Sequence, residues 1–283
     1  MSAFDDLMAF QKTTEALGQV AGRLGWDQET MMPREAAPQS SEEMAAMESV
    51  LHARRTDPQV GAWLEKIDDA KLDDVGQAQM RLIRKSYTRT MKVPADLAAE
   101  IAKVTSRAQG QWAQAREDED VAAFLPVLEE VVGLKQQEGQ ALADGGDVYD
   151  AMVDDYEPDM TAADLSAMFD TMRPRLVALR AAALAAEAPR ALPGLYPADK
   201  QMKLTRKLAR TFGYDMAKGR VDKAVHPFSS GSGLDVRITT RTSEYDPFNC
   251  FYSTIHEVGH GCYEQNIDDA YLLTPLGCGV SMG

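Results

Sequence analysis

Cysteine, histidine and positive charge are all in short supply in this chain, and each shortage excludes something. Of 283 residues only three are cysteine, namely Cys250, Cys262 and Cys278, and no two form a C-x-x-C pair. So low and odd a count excludes a disulfide framework and a cysteine-ligated zinc site, and it fits a reducing compartment. No run of about 18 apolar residues occurs, which excludes a membrane-spanning helix of ordinary length. The opening stretch MSAFDDLMAFQKTTEAL has neither a basic start nor a continuous apolar core. It does not read as a signal peptide, and the expected location is cytoplasmic. Lys and Arg number 30 against 44 Asp and Glu, a net charge of −14. Such a surface repels phosphate backbones and argues against nucleic acid as a partner. No basic amphipathic stretch suggests attachment to a membrane surface.

What is present is ordinary globular material, 45% hydrophobic and 26% charged. The length suits one large domain or two small ones. Apolar residues recur at three- and four-residue intervals over 2–25, which predicts a helix. Met31-Met32-Pro33 and Pro38 then read as a break. Ser40 with Glu43 reads as a capping box opening the next helix. Further helices are predicted at about 59–89, 95–117, 121–143 and 161–188. The last is opened by a Thr161–Asp164 capping box and kinked or divided by Pro174. Leu192 to Pro197 is the longest break, which divides the chain into a helical region at 1–192 and the start of a catalytic region at 193–283. A helix at about 199–212 follows. Then Val236, Ile238 and Thr240 alternate with Arg237, Thr239 and Arg241, the period of a half-buried strand. Helix returns at about 248–266.

The chemistry lies in that last helix. Residues 256–260 read His-Glu-Val-Gly-His. Positions four apart stack on one helix face, so His256 and His260 can aim two imidazole nitrogens at one Zn²⁺. Glu257 follows the first histidine and is placed to meet a water in an open coordination position. Zinc lowers the pKa of such a water to about 7, and the carboxylate takes its proton. That is the chemistry of peptide hydrolysis. A catalytic zinc takes three protein ligands, so a third must come from elsewhere. Glu264 shares the face, but His256, His260 and Glu264 extend over two turns, about 12 Å of helix, and one ion does not span them. Glu264 reads instead as a supporting hydrogen-bond or salt-bridge partner.

The other residues keep two readings each. Arg237 suits a bidentate contact with a substrate carboxylate, or an ion pair with Asp235 or Glu244. His226 could polarise a substrate carbonyl or be structural. His52 reads as a surface helical residue, Trp26 as a packing anchor and Cys262 as a small buried hydrophobe.

Taken in order along the chain, these motifs resemble one family. Trp26-Asp27-Gln28-Glu29-Thr30-Met31-Met32-Pro33, Tyr149-Asp150 through Tyr156-Glu157-Pro158-Asp159-Met160-Thr161, His226-Pro227-Phe228, Asp235-Val236-Arg237-Ile238-Thr239 and the zinc helix are similar to the Taq-type zinc carboxypeptidases. The resemblance implies a mostly α-helical fold with a small antiparallel sheet next to the zinc helix, and a long groove over the metal. It implies cytoplasmic homodimers that remove C-terminal residues from peptides. His256 and His260 match the zinc ligands and Glu257 the general base. Asp235, Arg237 and Thr239 match the strand motif beside the site, and His226 the motif before it. Family chains are much longer, and their third ligand is the glutamate of a His-Glu-Ser segment. By that spacing the segment would begin just past Gly283, so the chain is expected to be an N-terminal part lacking that ligand. Co²⁺ or Mn²⁺ could serve in place of Zn²⁺ at such a site. A metallo-endopeptidase or oligopeptidase, and a catalytically inactive helical fragment, are the alternatives.

Overall fold

The computed structural model describes residues 2–190 and 192–279. The N-terminal part opens with α1 (Ala3–Thr30), α2 (Ala37–Arg55), α3 (Pro58–Lys66), α4 (Asp74–Lys92), α5 (Ala95–Glu117) and α6 (Val121–Ala143). The predicted helix over 59–89 is in fact α3 and α4. Ile67 is extended, and Asp68 and Asp73 each turn a side chain onto a following backbone N–H, starting new elements. The Ser40–Glu43 capping box does not form. Pro38 sits in the first turn of α2, so Ser40 is already inside the helix and buried.

Apolar spacing on α1, α3 and α4 converges on Leu7, Val60, Leu64, Met80 and Ile83. Leu7, Val60 and Met80 are fully enclosed. His52, on α2, is buried too and is not a surface residue. It is 7% exposed, and its Nε2 lies 2.7 Å from the Val93 carbonyl at the end of α4. A carbonyl only accepts, so that nitrogen carries the proton.

After a short α7 (Val148–Val153), α8 (Ala162–Ala185) opens with the Thr161–Asp164 capping box in place. Pro174 lies inside α8 without dividing it. The carbonyl it leaves unpaired is on an exposed face, where water can serve it.

The C-terminal part is α9 (Ala198–Thr211), β1 (Gly219–Lys223), β2 (Ser229–Ser230), β3 (Val236–Thr240) and α10 (Pro247–Gln265). The sheet has the order β1-β3-β2. It is mixed, and the expected antiparallel sheet needs that correction: β2 runs antiparallel to β3, whereas β1 runs parallel to it, Gly219 opposite Val236 and Lys223 opposite Thr240. A charged pentapeptide such as Gly-Arg-Val-Asp-Lys gives little strand signal, and only Val221 and Asp222 of β1 are buried. The β2–β3 turn needs glycine: Gly231 has φ +86°, and a Cβ there would lie 2.1 Å from the Asp235 carbonyl. Met202, Ala209, Tyr214, Val221, Ile238 and Val258 form the core joining α9, the sheet and α10. Among the described residues no helix is long and apolar enough to cross a membrane.

Candidate metal centre

Helix α10 is started by Asp246, whose carboxylate accepts from the N–H groups of Phe248 and Asn249 (3.1 and 3.3 Å), with Pro247 at the first helical position. Its buried stripe is Cys250, Thr254, Val258, Gly261 and Gln265. The spacing is helical, so the stripe faces α9 and β3 while the opposite side is left to solvent. Thr240 donates to the Cys250 carbonyl (3.1 Å), and Thr254 donates to the same oxygen (2.8 Å), tying β3 to the helix. Gly261 permits the close seating. A Cβ there would lie 2.8 Å from the Tyr214 ring and 3.2 Å from Ile238.

His256 and His260 project from the free side, both exposed. Their Nε2 atoms are 3.3 Å apart, with the rings at 77°. Two nitrogens each about 2.05 Å from one ion, at a roughly tetrahedral angle, are separated by about 3.3 Å. The pair therefore has the spacing that a shared zinc requires. Without a cation, the same approach requires one ring to donate a proton to the other. Glu257, between them in sequence, is only 6% exposed. Burial pushes its carboxyl above the ordinary glutamate range, and the imidazoles of His256, His260 and His226 act in the opposite sense.

No third His, Cys, Asp or Glu completes a metal-holding cluster among the described residues. The donors present thus fit two of the three positions a catalytic zinc uses. Glu264 does not join them. Its Oε1 accepts from the Gly279 N–H at 2.8 Å, while Oε2 is buried without a partner among the described residues. Burial raises its pKa, opposed by that N–H and by His260. Residues 280–283, where the approach to the expected His-Glu-Ser segment would lie, fall outside the described residues.

The histidines and Glu257 line a cleft of about 720 Å³, opposite His226, Ser229 and Ser230. His226, Phe228, Ser229 and Ser230 also line an adjoining cleft of about 590 Å³ toward α1 and α5. A third, of about 660 Å³, follows through Glu29 and Gln109. Together they make a groove running away from the histidine pair.

Asp235, Arg237 and Thr239 are not among the residues lining these clefts. Arg237 holds Asp235 through two bonds of 2.9 Å, and its guanidinium lies 4.4 Å from the centre of the Trp26 ring. Arg220 on β1, held by Asp222, covers the same ring at 4.9 Å. Arg23 reaches Asp235 from α1 at 3.1 Å. Thr239 exchanges two hydrogen bonds with the Phe228 backbone, 2.8 and 3.2 Å. This motif fixes the His226–Ser230 wall and the sheet against α1. The residues that sequence reading did not single out are Ser229 and Ser230, which line two clefts, and Glu29 with Trp112 further along. A two-residue strand and a helical Glu–Trp pair carry no local signal.

A mostly helical fold that presents His-Glu-x-x-His on the wall of an extended groove defines the metallopeptidase class. Comparison with known proteins narrows this. The family model described as carboxypeptidase Taq (M32) metallopeptidase matches residues 6–283. Thermostable carboxypeptidase 1 of Thermus thermophilus is 36% identical over 300 residues, covering 100% of this chain and 59% of that protein. Thermostable carboxypeptidase 1 of Pyrococcus furiosus is 28% identical, covering 98% of this chain and 57% of that protein. The crystal structure of the M32 carboxypeptidase from Deinococcus radiodurans superposes with a TM-score of 0.85 at 32% identity, over 99% of this chain and 57% of that one. The chain belongs to the carboxypeptidase Taq (M32) metallopeptidase family, and it spans somewhat over half the length of these relatives.

Proposed function

We propose that the chain carries the histidine pair and general base of a zinc-dependent metallocarboxypeptidase that removes C-terminal amino acids from peptides. The observation that carries this reading is the 3.3 Å approach of His256 and His260 Nε2 on the cleft wall, next to the buried Glu257. His256 and His260 would hold the metal. Bound there, zinc would supply a Lewis acid and an acidified water.

The chain's own residues do the rest. Glu257 receives a proton, held on the cleft wall beside both histidines. His226, exposed and lining the same cleft, would polarise a substrate carbonyl. Among the described residues the strand β2 is paired on one side only, by β3, and it lines two clefts. Its other edge suits an extended peptide backbone, so the substrate lies along the groove. The third metal ligand, a glutamate on the family pattern, comes from outside the described residues.

One specific observation favours a second reading, that of a folded module without turnover: the absence of a third donor among the described residues. Zinc content and hydrolysis of an N-blocked dipeptide with a free carboxylate separate the two. The proposal expects one weakly held zinc per chain and slow but zinc-dependent cleavage confined to free C-termini, whereas the second reading expects no hydrolysis at any zinc concentration. Stoichiometric zinc with rapid turnover would overturn the view that the ligand set is incomplete. Internal cuts indifferent to an amidated C-terminus would instead indicate an endopeptidase. Reconstitution with Co²⁺ and Mn²⁺ tests whether zinc is the metal used.

A further inference from the structure

The cleft of about 590 Å³ next to the metal centre has an unusual lining. Its α1 wall contains Gly22 and Gly25, three apart and therefore on one helix face, and a Cβ at either would meet nothing within 4 Å. Trp26 from α1, Trp112 from α5 and Phe228 ahead of β2 supply aromatic surface, the Trp26 ring already covered by the Arg220 and Arg237 guanidiniums. Where this cleft meets the next one stands Glu29. Its Oε2 accepts from Gln109 Nε2 at 2.6 Å, and no Lys or Arg forms an ion pair with it among the described residues. The carboxylate is partly buried, and His226 acts on it electrostatically. The Trp112 ring already carries one guanidinium, that of Arg116, at 5.5 Å.

An open glycine floor accepts a long aliphatic stem. Aromatic faces attract a cation, and an unpaired carboxylate where the two clefts meet completes its recognition. An acidic side chain would meet Glu29 with like charge, and an alkyl or aromatic one would leave Glu29 uncompensated. We propose that this cleft is a side-chain subsite of the groove, and that it takes the lysine or arginine side chain of a bound peptide. The inference rests on the peptide-binding reading of the groove given above.

The test is isothermal titration of the metal-free chain, with chelator present so that no hydrolysis occurs. The probes are N-acetylated pentapeptides with a free carboxylate. They are alanine throughout, except at one position carrying Arg, Lys, norleucine, Phe or Glu, and that position is moved along the peptide. At one position Arg and Lys should bind about tenfold more tightly than norleucine. Glu29→Gln retains an acceptor for Gln109 and should bring that ratio to within about twofold. Gly22→Leu enters open space, should keep or raise the unfolding temperature, and should abolish the discrimination by filling the cleft. An undiminished Arg preference in Glu29→Gln, or a preference for Phe over Arg, overturns the subsite. Peptide binding without any cationic preference sinks the subsite alone, whereas no peptide binding at all sinks the groove reading with it.

Discussion

Two glycines of the histidine helix are expected to respond to the same substitution with opposite signs. Gly259 and Gly261 are both interior positions of α10, so alanine at either should gain about 0.5–1 kcal/mol of backbone entropy and helix propensity. At Gly259 nothing lies within 4 Å of a new Cβ, and the gain should appear in full. At Gly261 the Cβ would sit 2.8 and 3.0 Å from ring atoms of Tyr214 and 3.2 Å from Ile238. That ring cannot swing away. It is 2% exposed, and its hydroxyl is tied to the carbonyls of Val236 and Arg220. Overpacking of this kind costs about 1–3 kcal/mol, so Gly261→Ala should be destabilised by roughly 0.5–2 kcal/mol net. Thermal unfolding reads both variants. With a shift of about 2–4 °C per kcal/mol for a chain of this size, Gly259→Ala should melt about 2 °C higher and Gly261→Ala a few degrees lower. Shifts of the same sign would mean that α10 is not seated on Tyr214 as described, and the orientation of the two histidines would lose its support.

Other outcomes follow from the same packing. Glu257 has a raised pKa in the folded chain, so folding favours its protonated form. The stabilisation is present below the ordinary glutamate value of about 4.3 and is lost as pH rises through the folded value. Glu257→Gln should therefore be more stable than the parent at neutral pH, with the difference shrinking toward pH 4 in urea titrations of the metal-free chain, and it should abolish any hydrolysis. His52→Ala strips the Val93 carbonyl of its donor at a buried position and should cost about 1–3 kcal/mol, read as a lower urea midpoint. Asp246→Ala removes the cap from two N–H groups of α10 and should cost about 1 kcal/mol, with faster amide exchange at Phe248 and Asn249.

The histidine helix was legible because a four-residue spacing needs only helical geometry to bring two rings together, and the helix expected at about 248–266 is α10 to within a residue at either end. The strand at Val236–Thr240 was legible from its alternation, and α8 from Thr161 and Asp164. What failed was anything decided across the chain. His52 looked solvated because its partner, Val93, lies 41 residues away. Ser40 is a local exception: Pro38 two residues before it already lies within the helix, so no cap forms there. The parallel pairing of β1 depends on a crossover that leaves no local periodicity. Arg237 had two open readings in sequence, and in the structure it is clasped to Asp235 against Trp26. Glu29 was read only as part of a motif, because its place in the groove is set by α5 and by the turn before β2.

The most direct trial of the account is zinc titration of the metal-free chain and of His256→Ala, His260→Ala and the double variant, followed calorimetrically. One ion held between the two rings predicts a single weak site per chain, lost in full by either substitution, with the double variant no worse than each single one. If each single variant keeps half of the bound zinc and only the double variant loses it all, the two imidazoles serve separate sites and the shared metal centre does not exist.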